Sequence, residues 1–317
     1  MSNGSETVKK RAVVFAGQGA QAVGMGRDLA EQYPECRALF EKADGVLGYS
    51  LSGICFDGPM EELTRADRCQ PAVFTVSMAC YAALMKEAPG ISFAGAAGLS
   101  LGEWTALCAA GAVSFEQALE ILAARGRFMQ EACDERPGGM VSVIGLSLEA
   151  ARQVAASAGV EVANINSPEQ VVLSGEKSRI PAAENAAKQA GASRTVVLNV
   201  AGAFHSSLMG WAARKLEEKL RSVSFSPPAM PVVSNVTGRP HESAAAIGPA
   251  MVRQVTSSVQ WVDTVRWFQE QGVAEYVECG PGRVLAGLIK RIDRNAIVHS
   301  IQDVSSLKKA VEALKAG

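Results

Sequence analysis

A short segment bounded by glycines carries the residue best suited to chemistry. It runs from Gly98 to Gly102 and reads G-L-S-L-G, which fits the pattern G-x-S-x-G of a nucleophile elbow. Residues 91–97 before it are small and apolar, as in a buried strand end, and residues 102–110 after it are good helix formers. A sharp turn between them would project the Ser100 hydroxyl and place the Leu101 amide at a helix N-terminus, which favours negative charge. The alternative, a glycine-rich turn with an incidental serine, is less favoured because both flanks fit.

Three histidines could act as the general base for such a serine. His241 follows a turn and is predicted to be a surface residue, whereas His299 ends an apolar strand and is predicted to be structural. His205 lies in the segment 202–207, at a hinge between two predicted lobes. It is therefore the strongest candidate for the base that activates Ser100.

One arginine lies where an apolar residue is expected. Ser114 and Gln117 form a predicted capping box, and apolar residues then recur at helical spacing over residues 118–129. Arg125 falls on this apolar face, where an unpaired guanidinium would carry a penalty on the order of several kcal/mol. One alternative is that an internal Asp or Glu pairs with it, or that its stem snorkels so that the charge reaches solvent. The other alternative is that a substrate brings a carboxylate, which the guanidinium binds in a bidentate pair. Spacing alone leaves these alternatives open.

A glycine-rich turn follows the first predicted strand. Residues 16–21 read A-G-Q-G-A-Q, and Ala22 stands where the dinucleotide fingerprint G-x-G-x-x-G requires its third glycine. The pattern therefore argues against a nicotinamide cofactor. A tight turn of this kind can instead bring a backbone amide, such as that of Gln18, beside another loop.

Composition excludes several function classes. The 317 residues carry a formal net charge of −1 with a pI near 6.4, which argues against binding to nucleic acid or to a membrane surface. No apolar run approaches the roughly 20 residues of a membrane helix, and the N-terminus lacks the pattern of a secretory signal. The seven cysteines include no C-x-x-C pair, so we expect reduced thiols, no metal site and a cytoplasmic location.

The predicted elements divide the chain into two lobes. Strands alternate with helices over residues 10–137 and 202–305, which predicts an α/β lobe with a mostly parallel, covered sheet; one strand is predicted at 230–236. Residues 138–201 follow the order β-α-β-β-α-β, the split βαβ unit, and we interpret them as a small inserted lobe. Residues 1–9 are expected to form a flexible tail.

Eight motifs together resemble one known family. They are G-Q-G-A-Q at 17–21, Q-P-A at 70–72, G-L-S-L-G-E at 98–103, R-G-R-F-M-Q at 125–130, N-I-N-S-P-E-Q at 164–170, G-A-F-H-S at 202–206, S-V-Q-W at 258–261 and E-C-G-P-G at 278–282. In order and spacing they resemble the malonyl-CoA:acyl carrier protein transacylases of type II fatty acid synthesis, from Val13 to about Ile301. The resemblance implies an α/β fold in which a hydrolase-like large lobe with a mostly parallel sheet carries an inserted ferredoxin-like (βαββαβ) small lobe.

The resemblance also implies roles for individual residues. Ser100 would be the nucleophile and His205 its general base. The backbone amides of Gln18 and Leu101 would form the oxyanion hole. Arg125 would bind the malonyl carboxylate, which would identify its missing partner as the substrate.

Further residues are assigned to substrate binding by the same resemblance. The backbone carbonyl of Gln260 would orient the histidine, so that the site is a Ser-His dyad without an acidic third member. Phe204 resembles a residue associated with selection of malonyl over methylmalonyl groups, and Gln70 and Asn166 lie in two of the matching motifs. Leu99 departs from the family pattern, because many relatives carry histidine there.

The expected activity is a two-step acyl transfer. The malonyl group of a coenzyme A thioester would move to Ser100 and then to the phosphopantetheine thiol of acyl carrier protein, with no cofactor, no nucleic acid and no membrane involved. We expect a monomer. A serine hydrolase or esterase with the same nucleophile is the first alternative, and a catalytically silent scaffold or binding module is the second.

Overall fold

The computed structural model describes residues 9–316, so the predicted flexible tail at residues 1–9 lies, except for Lys9, outside the described residues. Within this range, eight strands form two separate four-stranded sheets. The strands are β1 Lys10–Phe15, β2 Gly95–Gly98, β3 Gly138–Ile144, β4 Glu161–Ser167, β5 Gln170–Glu176, β6 Arg194–Val197, β7 Val273–Cys279 and β8 Ile297–Ile301.

Helices connect and cover the strands. In chain order they are α1 Arg27–Gln32, α2 Pro34–Leu47, α3 Leu51–Asp57, α4 Met60–Thr64, α5 Ala66–Glu87, α6 Leu101–Ala109, α7 Phe115–Glu135, α8 Leu148–Ala158, α9 Ile180–Gln189, α10 Gly210–Leu220, α11 Ala244–Gln254, α12 Trp261–Glu270, α13 Val284–Ile292 and α14 Val304–Ala316. Between residues 9 and 316, none of them combines the length and apolar character that crossing a bilayer requires.

The larger lobe is built on a parallel sheet with the strand order β2-β1-β7-β8. Successive residues of the central strand β1 face two different apolar cores: Val13 and Phe15 belong to one, and Ala12 and Val14 belong to the other. Helices therefore cover both faces, as a parallel sheet requires. The carboxyl ends of the strands meet at one edge, and β2 leads there directly into Ser100.

The smaller lobe is an antiparallel sheet with the strand order β4-β5-β3-β6, packed on α8 and α9. Numbered within the lobe, this order is 2-3-1-4, the arrangement of a ferredoxin-like β-α-β-β-α-β unit. The predicted fold class is confirmed: a large lobe with a parallel sheet carries a small lobe with an antiparallel sheet.

The prediction of a strand at 230–236 is wrong. Val232 forms a single bridge with Ala96, and Val233 forms one with Pro240. Pro231 has no N–H to donate to a ladder, and a turn closed by the bond from the Gly238 amide to the Ser234 carbonyl reverses the chain at once. The segment is a tight loop against the edge strand β2, and it carries residues that reach the site.

The large lobe continues beyond its predicted end at residue 305. Helix α14 packs against β8 and α5 and buries Leu307, Val311 and Leu314, which are spaced along one helical face. The boundary at residue 305 therefore falls inside a helix of this lobe. Helices α10 and α11 are two further elements that the sequence pattern did not predict.

Two helical glycines give a test of how closely α6 approaches β1. A Cβ on Gly102 would lie 2.3 Å from the carbonyl oxygen of Phe15, whereas one on Gly287 would meet nothing within 4 Å. We expect Gly102→Ala to lower the free energy of unfolding by more than about 1 kcal/mol, although alanine is the better helix former, because α6 must move away from the strand.

Gly287→Ala is the matched control and should raise the free energy of unfolding by about 0.5–1 kcal/mol, since only helix propensity changes. Urea unfolding followed by tryptophan fluorescence measures both variants. Stabilisation by both substitutions would contradict the close packing of α6 on β1.

Candidate active site

Ser100 occupies the turn between β2 and α6. Its backbone φ of 57° and ψ of −105° are rare for a residue with a side chain. The turn is tight, because a Cβ on Gly98 would lie 2.1 Å from the carbonyl of Gly102. This is the geometry of a nucleophile elbow, which projects the serine hydroxyl from the edge of the sheet.

The His205 side chain contacts the Ser100 side chain, although the two residues are 105 positions apart in sequence. Its Nε2 lies 2.9 Å from the Ser100 Oγ, and its side chain is buried. Its φ is also 57°, and among the described residues these two are the non-glycine residues with positive φ. The predicted pairing of the hinge histidine with the elbow serine therefore exists in the structure.

The carbonyl that orients the imidazole belongs to Gln254, not to Gln260. His205 Nδ1 lies 2.9 Å from the Gln254 oxygen at the end of α11, where helix carbonyls lack intrahelical partners. The Gln260 carbonyl instead accepts from the Thr264 amide and hydroxyl as α12 begins. A carbonyl only accepts, so Nδ1 carries the proton and Nε2 is free to accept from Ser100.

The imidazole is held in its neutral form. Burial and, to a smaller extent, the neighbouring Arg125 cation together lower the pKa of His205 to about 4, and the hydrogen bond to the Gln254 carbonyl opposes the shift. At neutral pH the ring therefore has an unprotonated Nε2 beside the hydroxyl. That is the state that a general base requires.

Arg125 lies beside the nucleophile on α7, with its side chain fully buried. Its Nη1 donates to the Gln70 side-chain oxygen at 2.7 Å, and its Nη2 donates to the Gln254 side-chain oxygen and to the Ser100 Oγ, each at 3.0 Å. Its Nε is buried without a hydrogen-bond partner among the described residues.

The hydrogen-bond partners of Arg125 help to decide between an internal carboxylate and a substrate carboxylate, which the sequence spacing left open. All three are neutral amide or hydroxyl oxygens, so within residues 9–316 no carboxylate touches the guanidinium. Burial lowers the pKa of Arg125 to about 10, opposed by the more distant charge of Glu103, and the group stays cationic at neutral pH. A buried cation with an unpaired N–H favours a carboxylate that arrives with a ligand.

A cavity of about 610 Å³ opens in front of these groups, between the two lobes. The large lobe contributes Ser100, Arg125 and Phe204, and the small lobe contributes Asn166 on β4, whose side-chain oxygen is buried without a partner in the described structure. Gln70 lies behind Arg125 and holds it from outside the cavity. Gln260, also predicted to bind substrate, does not line it.

The two residues predicted to supply oxyanion amides, Leu101 and Gln18, lie in segments next to Ser100. Leu101 is the first residue of α6, so its N–H has no intrahelical acceptor. The turn carrying Gln18 lies directly against the elbow, since a Cβ on Gly17 would be 2.7 Å from the Leu99 carbonyl oxygen. Both residues line the cavity. The described residues contain no cluster of three or more side chains suited to bind a metal ion.

One histidine departs from its predicted environment. The His241 side chain is only 1% exposed, and its Nε2 lies 2.9 Å from the Glu103 carboxylate, so the prediction of a surface residue is wrong. Thr237 and Arg239 in the turn before it are exposed, but the side chain of His241 itself is buried. His299 lies in β8 with its Nε2 3.0 Å from Glu275, a structural pairing away from the cavity.

Known proteins share this chain's sequence and architecture. The family model described as the acyl transferase domain matches residues 12–315. The malonyl CoA-acyl carrier protein transacylase of Escherichia coli (strain K12) is 40% identical over 305 residues, covering 95% of this chain and 98% of that protein. The chain belongs to this acyl transferase family. The resemblance of the eight motifs is thereby confirmed.

Solved structures of transacylases have the same fold. The malonyl CoA-acyl carrier protein transacylase from Coxiella burnetii matches with a TM-score of 0.93 and 35% identity, covering 96% of this chain and 98% of that one. A structure of a type II PKS acyl-carrier protein in complex with its malonyl-transacylase matches with a TM-score of 0.91 and 42% identity, covering 96% of this chain and all of that one.

Sequence reasoning did not find every residue of this transacylase site. Gln254 and Asn235 each contact the elbow, and Asn235 Oδ1 accepts from the Ser100 amide at 2.6 Å. Neither lies in a motif with a recognisable chemical pattern, and the helix that ends at Gln254 was not predicted. Glu103, which accepts hydrogen bonds from both of them, does lie in the motif G-L-S-L-G-E, and that motif was the sequence signal that could have indicated it.

The depressed pKa of His205 predicts how Ser100 reacts as pH changes. Phenylmethylsulfonyl fluoride attacks activated serines and has no titratable group of its own. Because the neutral base persists above a pKa of about 4, we expect the inactivation rate to fall only as pH decreases through that value, rather than through 6.5.

Arg125→Met should move this midpoint upward, because the cation that disfavours the imidazolium is removed. Arg127→Met, on the exposed face of the same helix, should leave it unchanged. Near-UV circular dichroism at each pH confirms that the fold persists. A midpoint near 6.5 in the unmodified protein would contradict the buried neutral base.

Proposed function

We propose that this protein transfers the malonyl group from malonyl-CoA to the phosphopantetheine thiol of acyl carrier protein through a malonyl-serine ester on Ser100. The contact of Arg125 with Ser100, at 3.0 Å, carries this proposal. It places a buried cation beside the nucleophile, where the carboxylate of a malonyl group lies when its carbonyl carbon is attacked. The relatives named malonyl CoA-acyl carrier protein transacylase support the same acyl group and the same acceptor.

The first half-reaction forms the ester. His205 Nε2 takes the Ser100 proton while Oγ attacks the thioester carbonyl carbon, and a C–O bond forms. The Leu101 and Gln18 amides would stabilise the oxyanion, and loss of one such donor typically costs about 10²–10³ in rate. The C–S bond then breaks, and coenzyme A leaves as a thiol with the proton from His205.

The second half-reaction reverses these steps with a different thiol. The carrier's phosphopantetheine thiol gives its proton to His205, and its sulfur attacks the ester carbonyl. The C–O bond breaks, and the proton returns to Ser100. Atoms and protons balance with two thiols and this chain's own residues, so the reaction needs no cofactor.

Arg125 selects the acyl group in this mechanism. The guanidinium remains charged at neutral pH, and its unpaired Nε–H is ready to donate to a carboxylate. An acetyl group has no carboxylate and would leave that donor unpaired, which costs about 1–3 kcal/mol. Phe204, Asn166 and Leu99 line the cavity around this position and would contact the rest of the acyl chain.

The proposed location is the cytoplasm. All seven cysteines are free, and six of them are buried. Burial raises the pKa of thiols such as Cys36, Cys69 and Cys133 to about 12, so they remain unreactive protonated groups. Free thiols in this number fit a reducing compartment, where this reaction also finds its coenzyme A thioester.

Intact-mass spectrometry tests the function directly. Mixing the protein with malonyl-CoA should add one malonyl group, and Ser100→Ala should add none. Among the described residues, the other hydroxyl side chains lining the cavity, Thr64 and Ser142, bond to Met60 and Gln170 rather than to a base. Phosphopantetheinylated carrier protein should then remove the label and become malonylated. Release mainly as free malonate would favour a hydrolase, and the absence of any adduct would favour a binding module.

Arg125→Ala tests the selection of the acyl group. We expect kcat/KM for malonyl-CoA to fall by about 10²-fold or more, while loading from acetyl-CoA falls less or improves, because only the malonyl group loses an ionic partner. Arg127→Ala, which loses an exposed arginine from the same helix, is the control and should change neither rate. Equal losses with both donors would contradict the assigned role.

A further inference from the structure

A buried carboxylate lies behind the site and takes no part in the mechanism above. Glu103 is in the first turn of α6, three residues after the nucleophile, and it is fully buried. Three donors converge on it: the Gln254 side-chain amide at 2.7 Å, the Asn235 backbone amide at 3.0 Å and His241 Nε2 at 2.9 Å. A buried carboxylate with this many partners determines how those partners are oriented.

The bond from Gln254 connects Glu103 with the reacting groups. Gln254 Nε2 donates both to Glu103 and to the Ser100 carbonyl, so its side-chain oxygen must face the opposite way, toward Arg125. The backbone carbonyl of the same residue orients His205. One glutamine thus holds the base through its main chain and the cation through its side chain.

The bond from Asn235 connects Glu103 with the elbow itself. With its own amide fixed by the carboxylate, the Asn235 side chain accepts from the Ser100 N–H at 2.6 Å and donates to the Gly98 carbonyl at 2.7 Å. These two bonds bracket Leu99, on the strand side of the strained Ser100. They replace the strand partner that the edge strand β2 lacks at this point.

We propose that Glu103 is a positioning residue of this transferase: as a hydrogen-bond acceptor, it fixes the Gln254 amide so that Arg125 points at the acyl carboxylate, and His241 holds Glu103 in place. The proposal rests on the proposed malonyl transfer. It assigns Glu103 no contact with substrate, because Glu103 does not line the cavity.

Glu103→Met tests whether the site needs the hydrogen-bond acceptor that Glu103 provides. Methionine has a similar length and no acceptor for Gln254 or Asn235, so the amide is free to turn its NH₂ toward Arg125 and displace the guanidinium. We expect kcat/KM for malonyl-CoA to fall by roughly 10- to 100-fold. The malonyl-to-acetyl ratio should fall with it, in the direction of Arg125→Ala.

Glu103→Gln is the conservative variant that should restore function. Its side-chain oxygen can accept from both Gln254 and Asn235, as one carboxylate oxygen does now, and its NH₂ can donate to His241 in the other tautomer. We expect a malonyl-to-acetyl ratio within about threefold of the unmodified protein. A loss as large as that of Glu103→Met would overturn a role as acceptor.

His299 supplies the control, because it forms a second, partly buried His–Glu pair, with Glu275, at 3.0 Å on β7 and β8. His299→Leu should leave the malonyl-to-acetyl ratio unchanged, whereas His241→Leu should lower it, since Glu103 then loses its anchor. If Glu103→Met does not fold, the malonyl-to-acetyl ratio of His241→Leu tests the proposal instead. The proposal would be overturned if either variant loaded malonyl-CoA and acetyl-CoA with equally reduced rates. It would also be overturned if both variants kept the malonyl-to-acetyl ratio of the unmodified protein.

Loading of the unmodified protein is measured first in the same assay. Failure to load malonyl would overturn the proposed function itself. Normal loading with an unchanged ratio in the variants would overturn only the positioning role.

Discussion

The site depends on a buried cation, Arg125, which no carboxylate contacts within residues 9–316. A guanidinium removed from water is costly unless it is hydrogen-bonded and its charge is balanced. The side-chain oxygens of Gln70 and Gln254 accept hydrogen bonds from Arg125, and the Glu103 carboxylate is separated from it by the Gln254 amide. The remaining imbalance is an attraction for a carboxylate, and both Arg125 and Ser100 line the cavity that such a group would enter.

The same cation explains why the base has a carbonyl behind it rather than a carboxylate. A carboxylate at Nδ1 of His205 would raise the histidine pKa and would also compete for Arg125. The Gln254 carbonyl orients the ring and leaves it neutral, and the positive charge of Arg125 lowers the pKa of the imidazole in addition to the effect of burial. In the proposed mechanism, one side chain would therefore both select an acidic acyl group and help burial to keep the base neutral.

The sequence revealed those parts of the site that are encoded locally. The elbow at Ser100 was predictable because its glycines, strand and helix are adjacent in the chain, and Arg125 because a charged residue broke an apolar period. The partners of these residues were not predictable in the same way. His241 reaches Glu103 across 138 residues. The carbonyl that the resemblance assigned to Gln260 belongs to Gln254, which ends helix α11 and lies outside the eight motifs. Similarly, the segment 230–236 resembles a strand in its apolar residues, but Pro231 and the turn after it leave only single bridges.

Backbone strain is concentrated at the two groups that exchange a proton. Ser100 and His205 both have a φ of 57°, in a region that costs about 1–3 kcal/mol for residues of this kind. Such a cost persists only where the surroundings offset it. Here Asn235 bonds to the Ser100 amide and the Gly98 carbonyl, and the Gln254 carbonyl bonds to the imidazole. Both supporting residues donate to one oxygen of Glu103. The rigidity of the dyad is thus a property of a buried polar network that extends from the elbow to His241, and the two strained residues are where that network meets the cavity.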